Sequence, residues 1–213
     1  MSQFSILIPT LFRSKRITPL VEEFEKHPLV SEVVIMDNTG NIDYYQDGKL
    51  SVLKGRKENY VSKSWNQLVE FARSPYYAIL NDDIHIDANV LYEILDHDWK
   101  VPSIIGLDFE TCVATKKQQE DVHLISLEST EHETLPYGFG QALFGKKSQY
   151  PPIPEYLRIW CNDNYLATKL HPYLLRGAYW AGEIETSSGN PEFNDIKKGD
   201  LKRWRQMIDR GLI

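Results

Sequence analysis

The sequence predicts an α/β fold, with helices on both faces of a mostly parallel central sheet and a smaller antiparallel portion after it. Two observations in the 213-residue chain support this prediction. In the first half, short apolar runs alternate with amphipathic segments of about ten residues, as in consecutive βαβ units. Past residue 100, the apolar runs are short and separated by polar turns, which is more typical of antiparallel strands.

Four short apolar runs predict the strands of the first half, at residues 4–8, 33–36, 50–53 and 76–80. Three helices alternate with them or follow them, because apolar residues recur there at helical spacing. Their predicted N-terminal caps are Thr18, with Pro19 at the first helical position, then Ser62 and Asp87. This regular alternation predicts a parallel sheet that is covered on both faces.

The second half predicts shorter elements. Its apolar runs predict strands at residues 104–107, 111–115 and 122–127, and another apolar run follows at residues 142–144. Asn162 or Asp163 then opens a helix, since both residue types are favoured at a helix start. Residues 186–199 are rich in Ser, Gly, Asn and Pro, which predicts an exposed loop.

The C-terminal segment is basic. Residues 197–213 hold six basic and two acidic side chains, which gives them a net charge of +4 and leaves −10 for the remainder. We predict one domain over residues 1–196, followed by a basic helical extension whose apolar face holds Leu201, Trp204 and Ile208. A basic segment on an acidic body indicates an anionic partner.

The composition, with 42% apolar and 25% charged residues, is that of a globular protein. Cys112 and Cys161 lie outside any metal-ligand spacing, which favours free thiols in a reducing compartment. The net charge of −6 gives no general attraction to nucleic acid. No apolar stretch approaches the roughly 18 residues of a membrane span, so we expect a cytoplasmic protein without one.

Polar residues follow three of the predicted parallel strands. Thr10 ends the first, Asp37 ends the second, and Asn81-Asp82-Asp83 follows the run at residues 76–80. Because the carboxyl ends of parallel strands meet at one edge of the sheet, these side chains should gather there. The sequence therefore predicts a ligand site at this edge.

Several segments resemble glycosyltransferase family 2, whose members have the GT-A fold. SILIPTLFRSKRITPL resembles the family's opening strand and helix, and VVIMDN its second strand, whose terminal Asp reads the nucleobase. NYVSKSWNQLVEFA resembles its Asn-rich helix, and YYAILNDDIHID the strand with the D-x-D metal motif. WCNDNYLATKL resembles the segment with the catalytic base. The match covers roughly residues 4–170, in the family's order.

The resemblance implies a hexosyl- or pentosyltransferase that uses a nucleoside-diphosphate sugar, with uridine diphosphate as the expected carrier. It implies a divalent metal, Mn²⁺ or Mg²⁺, held by Asp83. It implies that Asp163 is the catalytic base, which deprotonates the acceptor hydroxyl for a transfer with inversion. The residues implied to bind the nucleotide sugar are Pro9, Thr10, Arg13, Asp37, Asn66, Asn81 and Asp82.

Three positions depart from the family's pattern. The D-x-D motif begins with the amide of Asn81, Val61 stands where the family often has glycine, and residues 161–164 hold a single acid, Asp163. The amide keeps a non-catalytic sugar- or nucleic-acid-binding module as an alternative function. Each motif also has a structural alternative, because Asn-Asp-Asp and Asp-Asn-Thr-Gly are turn sequences and Asp163 suits a helix cap.

The acceptor has two candidate classes. Lys202, Arg203 and Arg205 could contact the phosphates of DNA, and some bacteriophages encode compact glycosyltransferases that modify hydroxymethylated DNA bases in the host cytoplasm. Such a base would have to be flipped out of the duplex. The alternative acceptor is a polysaccharide or lipopolysaccharide precursor. A nucleotidyltransferase, the rival enzyme, would need a glycine-rich phosphate loop, and PTLFRSKR contains no glycine.

Overall fold

A computed structural model describes residues 3–119, 121–127, 135–182 and 190–213. The helices are α1 (Ile17–Lys26), α2 (Tyr60–Phe71), α3 (Val90–Asp96), α4 (Asn162–Lys169) and α5 (Asn194–Asp209). The strands are β1 (Phe4–Thr10), β2 (Val30–Asp37), β3 (Tyr45–Asp47), β4 (Leu50–Lys54), β5 (Tyr76–Leu80), β6 (Ile84–Ile86), β7 (Ser103–Leu107), β8 (His123–Ser126), β9 (Ala142–Lys146), β10 (His171–Arg176) and β11 (Trp180–Gly182).

Within the described ranges, nine strands form one sheet in the order β3-β4-β2-β1-β5-β9-β7-β10-β8. The pairs β4-β2, β2-β1, β1-β5 and β7-β10 are parallel, and β9 runs antiparallel to both β5 and β7. Strands β6 and β11 form a small antiparallel pair. The α/β architecture predicted from the sequence is confirmed.

The central strand β1 is buried on both faces because its alternate side chains enter two separate cores. Ile6 and Ile8 pack into one core with α1, whereas Leu7 packs into the other with α2. Burying one such side chain contributes roughly 1.5–3 kcal/mol. The register pairs Thr10 of β1 with Asp37 of β2, so the carboxyl ends of these strands lie side by side.

Two predicted helix caps are wrong. Helix α1 begins at Ile17, before Thr18, because Leu20 N already donates to Arg16 O at 3.1 Å. Helix α2 begins at Tyr60, which places Ser62 inside it. Its first amides are satisfied by a distant backbone carbonyl, Arg158 O, which accepts from the N–H groups of residues 61 and 62. Tertiary contact therefore replaces a capping side chain.

The start of α3 departs less from the prediction. The N-cap position is Asn89, and Asp87 Oδ1 accepts from Asn89 N at 3.0 Å, so Asp87 orders the turn that leads into the helix. The predicted start of α4 is confirmed at Asn162, although neither it nor Asp163 caps the helix with its side chain. The residue before it, Cys161, has a left-handed backbone with φ of 65°.

Two predictions in the second half are corrected. The run at residues 111–115 forms no strand, because the 3₁₀ turn Phe109–Thr111 and one isolated bridge from Val113 use its backbone groups. In the predicted loop, residues 186–189 lie outside the described residues, whereas the part from Pro191 onward is helical. Asn190 Oδ1 accepts from Glu192 N with Pro191 at the first helical position, which starts the turn leading into α5.

Candidate active site

A cleft of about 630 Å³ opens at the carboxyl edge of the parallel strands. Its lining comes from the ends of β1 and β5, the start of α2, the loop before β9, the start of α4 and the first half of α5. This volume lies within the usual range for small-molecule sites, about 300–1,000 Å³. The predicted site residues that line it together are Pro9, Thr10, Asn81, Asp82, Asp83 and Asp163.

A hydrogen-bond chain joins the ends of β1 and β5. Phe12 N donates to Thr10 Oγ1 at 2.7 Å, and the Thr10 hydroxyl donates to Asp82 Oδ2. The hydroxyl of a buried threonine thus directs one of the two adjacent carboxylates. Asp82 and Asp83 both line the cleft, and Asp83 is 7% exposed.

Asn81 joins β5 to the loop before β9. Its backbone N–H donates to Gln141 O at 3.0 Å, and its side-chain Nδ2 donates to Gln141 Oε1 at 3.0 Å. The amide that departs from the D-x-D pattern therefore takes part in a contact between two walls of the cleft. A carboxylate could only accept at this position, whereas the amide also donates.

Asp163 lies in the first turn of α4, partly exposed to the cleft. Asn164 N donates to its Oδ1 at 3.0 Å. Desolvation by burial nevertheless dominates and raises the pKa of the Asp163 carboxyl above its usual value. A raised pKa suits a group that takes up a proton during a reaction.

Gly140 makes the position of Asp163 possible. A β-carbon at residue 140 would lie 2.8 Å from Asp163 Oδ2 and 3.3 Å from Asp163 Cβ. The carboxylate therefore packs directly against the glycine backbone, and no larger residue fits without displacing it. Gly140 and Gln141 follow one another, so the loop before β9 contacts both acidic sides of the cleft.

The lining of the cleft is acidic. Five carboxylate residues contribute to it, and the described lining residues include no Lys, Arg or His. Cations lie against lining residues instead, and one of them is Arg158, whose guanidinium carbon lies 5.3 Å from the centre of the Tyr60 ring. Arg13 Nη2 pairs with Glu192 Oε1 at 2.9 Å, and Lys197 Nζ lies 5.4 Å from the centre of the Trp160 ring. The five acidic lining residues are Glu58, Asp82, Asp83, Asp163 and Glu192.

Asp37 ends β2 at the predicted edge, but its fully buried side chain does not line the cleft. Its Oδ1 accepts from Thr39 N and Thr39 Oγ1, and its Oδ2 accepts from Ile42 N at 2.7 Å. Burial opposes ionisation, yet these hydrogen bonds outweigh it and hold the pKa of Asp37 below its usual value. The carboxylate thus orders the turn after β2, and its contact with a nucleobase stays a prediction.

Asn66 also lies outside the cleft lining and bonds to another part of the protein. Its Nδ2 donates to Ile153 O at 2.8 Å, and its Oδ1 accepts from Ile153 N and the Tyr150 hydroxyl. These three bonds hold the loop before α4 against α2. Its contact with the donor stays a prediction.

The three predicted DNA-contacting residues lie on α5 and do not line the cleft. Lys202 and Arg205 are exposed, whereas Arg203 pairs with Asp200 at 3.3 Å. Asp200 is itself fully buried, and its Oδ2 accepts from the N–H groups of Ile159 and Trp160. Helix α5 therefore anchors the segment that leads into the helix of Asp163.

Sequence reasoning missed several residues that shape the site. Gly140 and Gln141 had one visible signal, the pair of glycines around Phe139. Asp200 had none, because it read as one acid in a basic helix. Tyr60 has φ of 50° and ψ of −165°, a backbone region in which non-glycine residues are strained. The long-range contact of the next two amides with Arg158 O helps to hold the start of α2 at Tyr60.

No protein-family model and no curated protein matches this chain. Solved structures of Staphylococcus aureus TarS resemble it in fold. TarS 1–349 superposes with a TM-score of 0.57 and 16% identity, over 84% of this chain and 59% of TarS 1–349. Its complex with UDP-GlcNAc gives a TM-score of 0.58 and 16% identity, over 91% and 64%.

The complex of TarS 1–349 with UDP gives a TM-score of 0.54 and 16% identity, over 84% of this chain and 59% of the other. The chain thus spans about three fifths of the TarS fragment. These likenesses show that the chain shares the mixed α/β fold of the TarS fragment. In the described part of the chain, no helix is long and apolar enough to cross a membrane.

Proposed function

We propose that the protein is a glycosyltransferase that moves a sugar from a UDP-linked donor to an acceptor hydroxyl, with inversion. The observation that carries the proposal is one cleft that holds both Asp82-Asp83, after β5, and Asp163, at the start of α4. Carboxyl ends of parallel strands are where such sheets bind ligands. The TarS structures with UDP-GlcNAc and with UDP, which share the fold, support a UDP sugar as the donor.

The donor set at the end of β5 fits a hard divalent cation, Mn²⁺ or Mg²⁺. Such ions prefer oxygen ligands, and Mg²⁺ is often held by one or two carboxylates together with substrate phosphates. Asp83 would hold the ion, with Asp82 beside it. In the described ranges no group of three or more His, Cys, Asp and Glu is placed to bind a metal, so these carboxylates would supply only part of the shell. The bound cation would neutralise charge on the leaving diphosphate.

The acidic lining gives a second reason for a cation. A diphosphate that entered this cleft would meet five acidic residues and no lining Lys, Arg or His from the described chain. Two like charges repel strongly in a partly buried site, because the effective dielectric constant is low there. We therefore expect nucleotide binding to depend on the divalent ion.

Different residues around the cleft would bind different parts of the donor. Pro9, Thr10 and Asn81 would line the donor site, and the Thr10 hydroxyl would keep Asp82 oriented. Arg13 at the rim would exchange part of its pairing with Glu192 for the anionic donor. The turn that Asp37 orders would shape the site for the base.

Asp163 would act as the general base. Its carboxylate takes the proton of the acceptor hydroxyl as that oxygen forms a bond to the anomeric carbon of the donor sugar. The bond between the anomeric carbon and the diphosphate oxygen breaks, and its electron pair leaves with UDP. The products are the glycosylated acceptor, UDP and a protonated Asp163, which releases its proton to solvent.

The acceptor is either DNA or a glycan precursor. Exposed Lys202 and Arg205 on α5 support a DNA acceptor, because Ile196 and Leu201 of the same helix line the cleft. A glycan precursor needs no such cations.

The proposal is tested by measuring UDP release from a panel of UDP sugars, with Mn²⁺ and with EDTA. We expect at least one UDP sugar to be consumed in the presence of Mn²⁺ and not in the presence of EDTA. Asp163→Asn should lower this rate about 100-fold or more. Asp98→Asn, a change of an exposed carboxylate outside the cleft, is the matched control. No consumption and no binding of any UDP sugar would contradict the proposal.

A further inference from the structure

Three aromatic residues form a connected group beside the cleft, which we name the aromatic shelf: Phe109, Tyr137 and Trp180. The rings of Phe109 and Tyr137 meet edge to face, with centroids 5.4 Å apart and planes at 90°. Phe109 meets Trp180 in the same way, at 4.7 Å and 79°. Tyr137 is 71% exposed, whereas the other two rings are half-buried. The shelf therefore presents one open ring on a packed base.

The shelf lies close to Asp163. The residue after Tyr137 is Gly138, which lines the cleft, and a β-carbon there would lie 2.9 Å from Phe109 Cβ. Two residues further on, Gly140 contacts the Asp163 carboxylate. Three Cα–Cα steps join Tyr137 to Gly140 and span at most about 11 Å, so the backbone that carries the open ring lies within that distance of the backbone against which Asp163 packs.

The charges beside the shelf oppose a phosphodiester. Phe109 stands between Asp108 and Glu110 in the chain, and the guanidinium of Arg176 is already paired with Asp108 at 2.7 Å. The neighbouring cleft lining is itself acidic. The phosphates of a DNA strand bound here would lie next to carboxylates of the same charge, and such repulsion weakens binding.

A neutral sugar suits the same surface. One face of a pyranose ring consists mainly of C–H groups, which can cover an aromatic ring and remove apolar area from water. The Tyr137 hydroxyl can donate to or accept from a sugar hydroxyl. We propose that the aromatic shelf is the acceptor subsite and that it binds a neutral saccharide, which narrows the acceptor of the proposed glycosyltransferase and rests on that function.

The test has two independent readouts. Saturation-transfer NMR without donor measures binding of a panel of neutral methyl glycosides and disaccharides to the shelf. UDP release from UDP-GlcNAc or UDP-glucose with Mn²⁺ then measures acceleration by the same sugars and, in a separate arm, by an oligonucleotide that contains 5-hydroxymethylcytosine. We expect at least one saccharide to bind and to accelerate UDP release, and the oligonucleotide to do neither.

The variants locate the effect. Tyr137→Ala should raise the saccharide KM about tenfold, with a change below twofold in the Kd of UDP, whereas Tyr137→Phe should retain most of the wild-type KM because the ring remains. Tyr92→Ala is the matched control, since Tyr92 is another exposed tyrosine in an edge-to-face contact, with His27, outside the cleft. An equal KM in wild type and Tyr137→Ala would overturn the inference.

Other outcomes separate the inference from the function on which it rests. Acceleration by the oligonucleotide and by no saccharide would overturn the shelf as a saccharide site and leave the glycosyltransferase proposal standing. The same holds if UDP sugars bind and no saccharide in the panel binds or accelerates. Absence of UDP-sugar binding would contradict the proposed function, while the NMR measurement would still decide whether Tyr137 binds sugar.

Discussion

The carboxylate of Asp163 packs against the backbone of Gly140 so closely that a β-carbon on Gly140 would lie 2.8 Å from Asp163 Oδ2. These residues lie 23 positions apart in the chain. Gly140 belongs to the loop before β9, and the next residue, Gln141, bonds to Asn81 at the end of β5. One loop thus sets the separation between the proposed base and the proposed metal ligands.

Gly140→Ala should displace the Asp163 carboxylate. The backbone of Gly140 has no left-handed φ, so the effect of the methyl group is steric. We expect a rate of transfer at least tenfold lower, since small misplacements of a catalytic group can cost about 100-fold, with a change below threefold in the Kd of UDP. Gly199→Ala in α5 is the control, because its β-carbon meets only a flexible arginine end. Equal rates in both variants would refute the role of Gly140.

Asp163→Asn should stabilise the fold at neutral pH. Burial raises the folded pKa of Asp163 above its unfolded value, so wild-type stability falls as pH rises from the unfolded value, about 3.9, through the folded pKa. The neutral amide removes this loss. Urea unfolding measures the free energy of unfolding of both proteins at pH 4.5 and pH 8. Asp163→Asn should be the more stable protein at pH 8, and the difference from wild type should be larger there than at pH 4.5. A less stable variant at pH 8 would contradict the account.

The transfer rate should depend on the same proton. A base must be deprotonated to act, so kcat/KM of wild type should rise with pH, with a midpoint above the ordinary aspartate value of about 3.9. A pH–rate profile with the best UDP sugar measures it. A rate that is flat from pH 4 to pH 8 would show that another group accepts the proton.

Thr10→Val should weaken nucleotide binding. The change keeps the shape of the side chain but removes the hydroxyl that accepts from Phe12 N and donates to Asp82. Hydrogen bonds to charged groups contribute about 1.5–3 kcal/mol, so the Kd of UDP with Mn²⁺ should rise about tenfold or more. Thr10→Ser retains the hydroxyl and should stay within threefold of wild type. Titration calorimetry compares the three, and equal affinities would exclude orientation of Asp82 by Thr10.

Asp37→Asn should destabilise the protein in a pH-dependent way. The folded pKa of Asp37 is lowered, so its stabilisation is present above the unfolded value of about 3.9 and is lost as pH falls through the folded pKa. At pH 7 we expect a loss of about 2 kcal/mol in the free energy of unfolding. The difference from wild type should narrow towards pH 3. A difference that does not vary with pH would mean that the charge of Asp37 contributes nothing.

The sequence predicted the elements whose patterns are local. The strand predicted at residues 76–80 is confirmed as β5, because five apolar residues run directly into Asn81-Asp82-Asp83. Burial of β1 and β2 on both faces left equally clear continuous runs. The shared edge for Thr10, Asp82 and Asp83 followed from the parallel topology, and the cleft there contains them.

What could not be predicted depends on contacts distant in the chain. The start of α2 at Tyr60 needs the carbonyl of Arg158, and the proximity of Asp163 to the cleft's glycine loop needs the packing of α4 on that loop. Asp200 could not be predicted for the same reason, since its hydrogen bonds with the backbone N–H groups of Ile159 and Trp160 leave no periodic signal in the sequence. The turn that leads into α5 has a local signal, Asn190-Pro191, and the loop prediction there is wrong. The same pair can open a helical turn as readily as it marks a loop.

The most direct test of the account is the Kd of UDP measured by titration calorimetry, with Mn²⁺ and with EDTA, for wild type and Asp83→Asn. Asp98→Asn, with its exposed carboxylate, serves as the control. We predict that wild type and Asp98→Asn bind UDP at least tenfold more tightly with Mn²⁺ than with EDTA, and that Asp83→Asn loses this difference. Equal UDP affinity with and without Mn²⁺ in wild type would contradict a nucleotide site built around a metal at the end of β5.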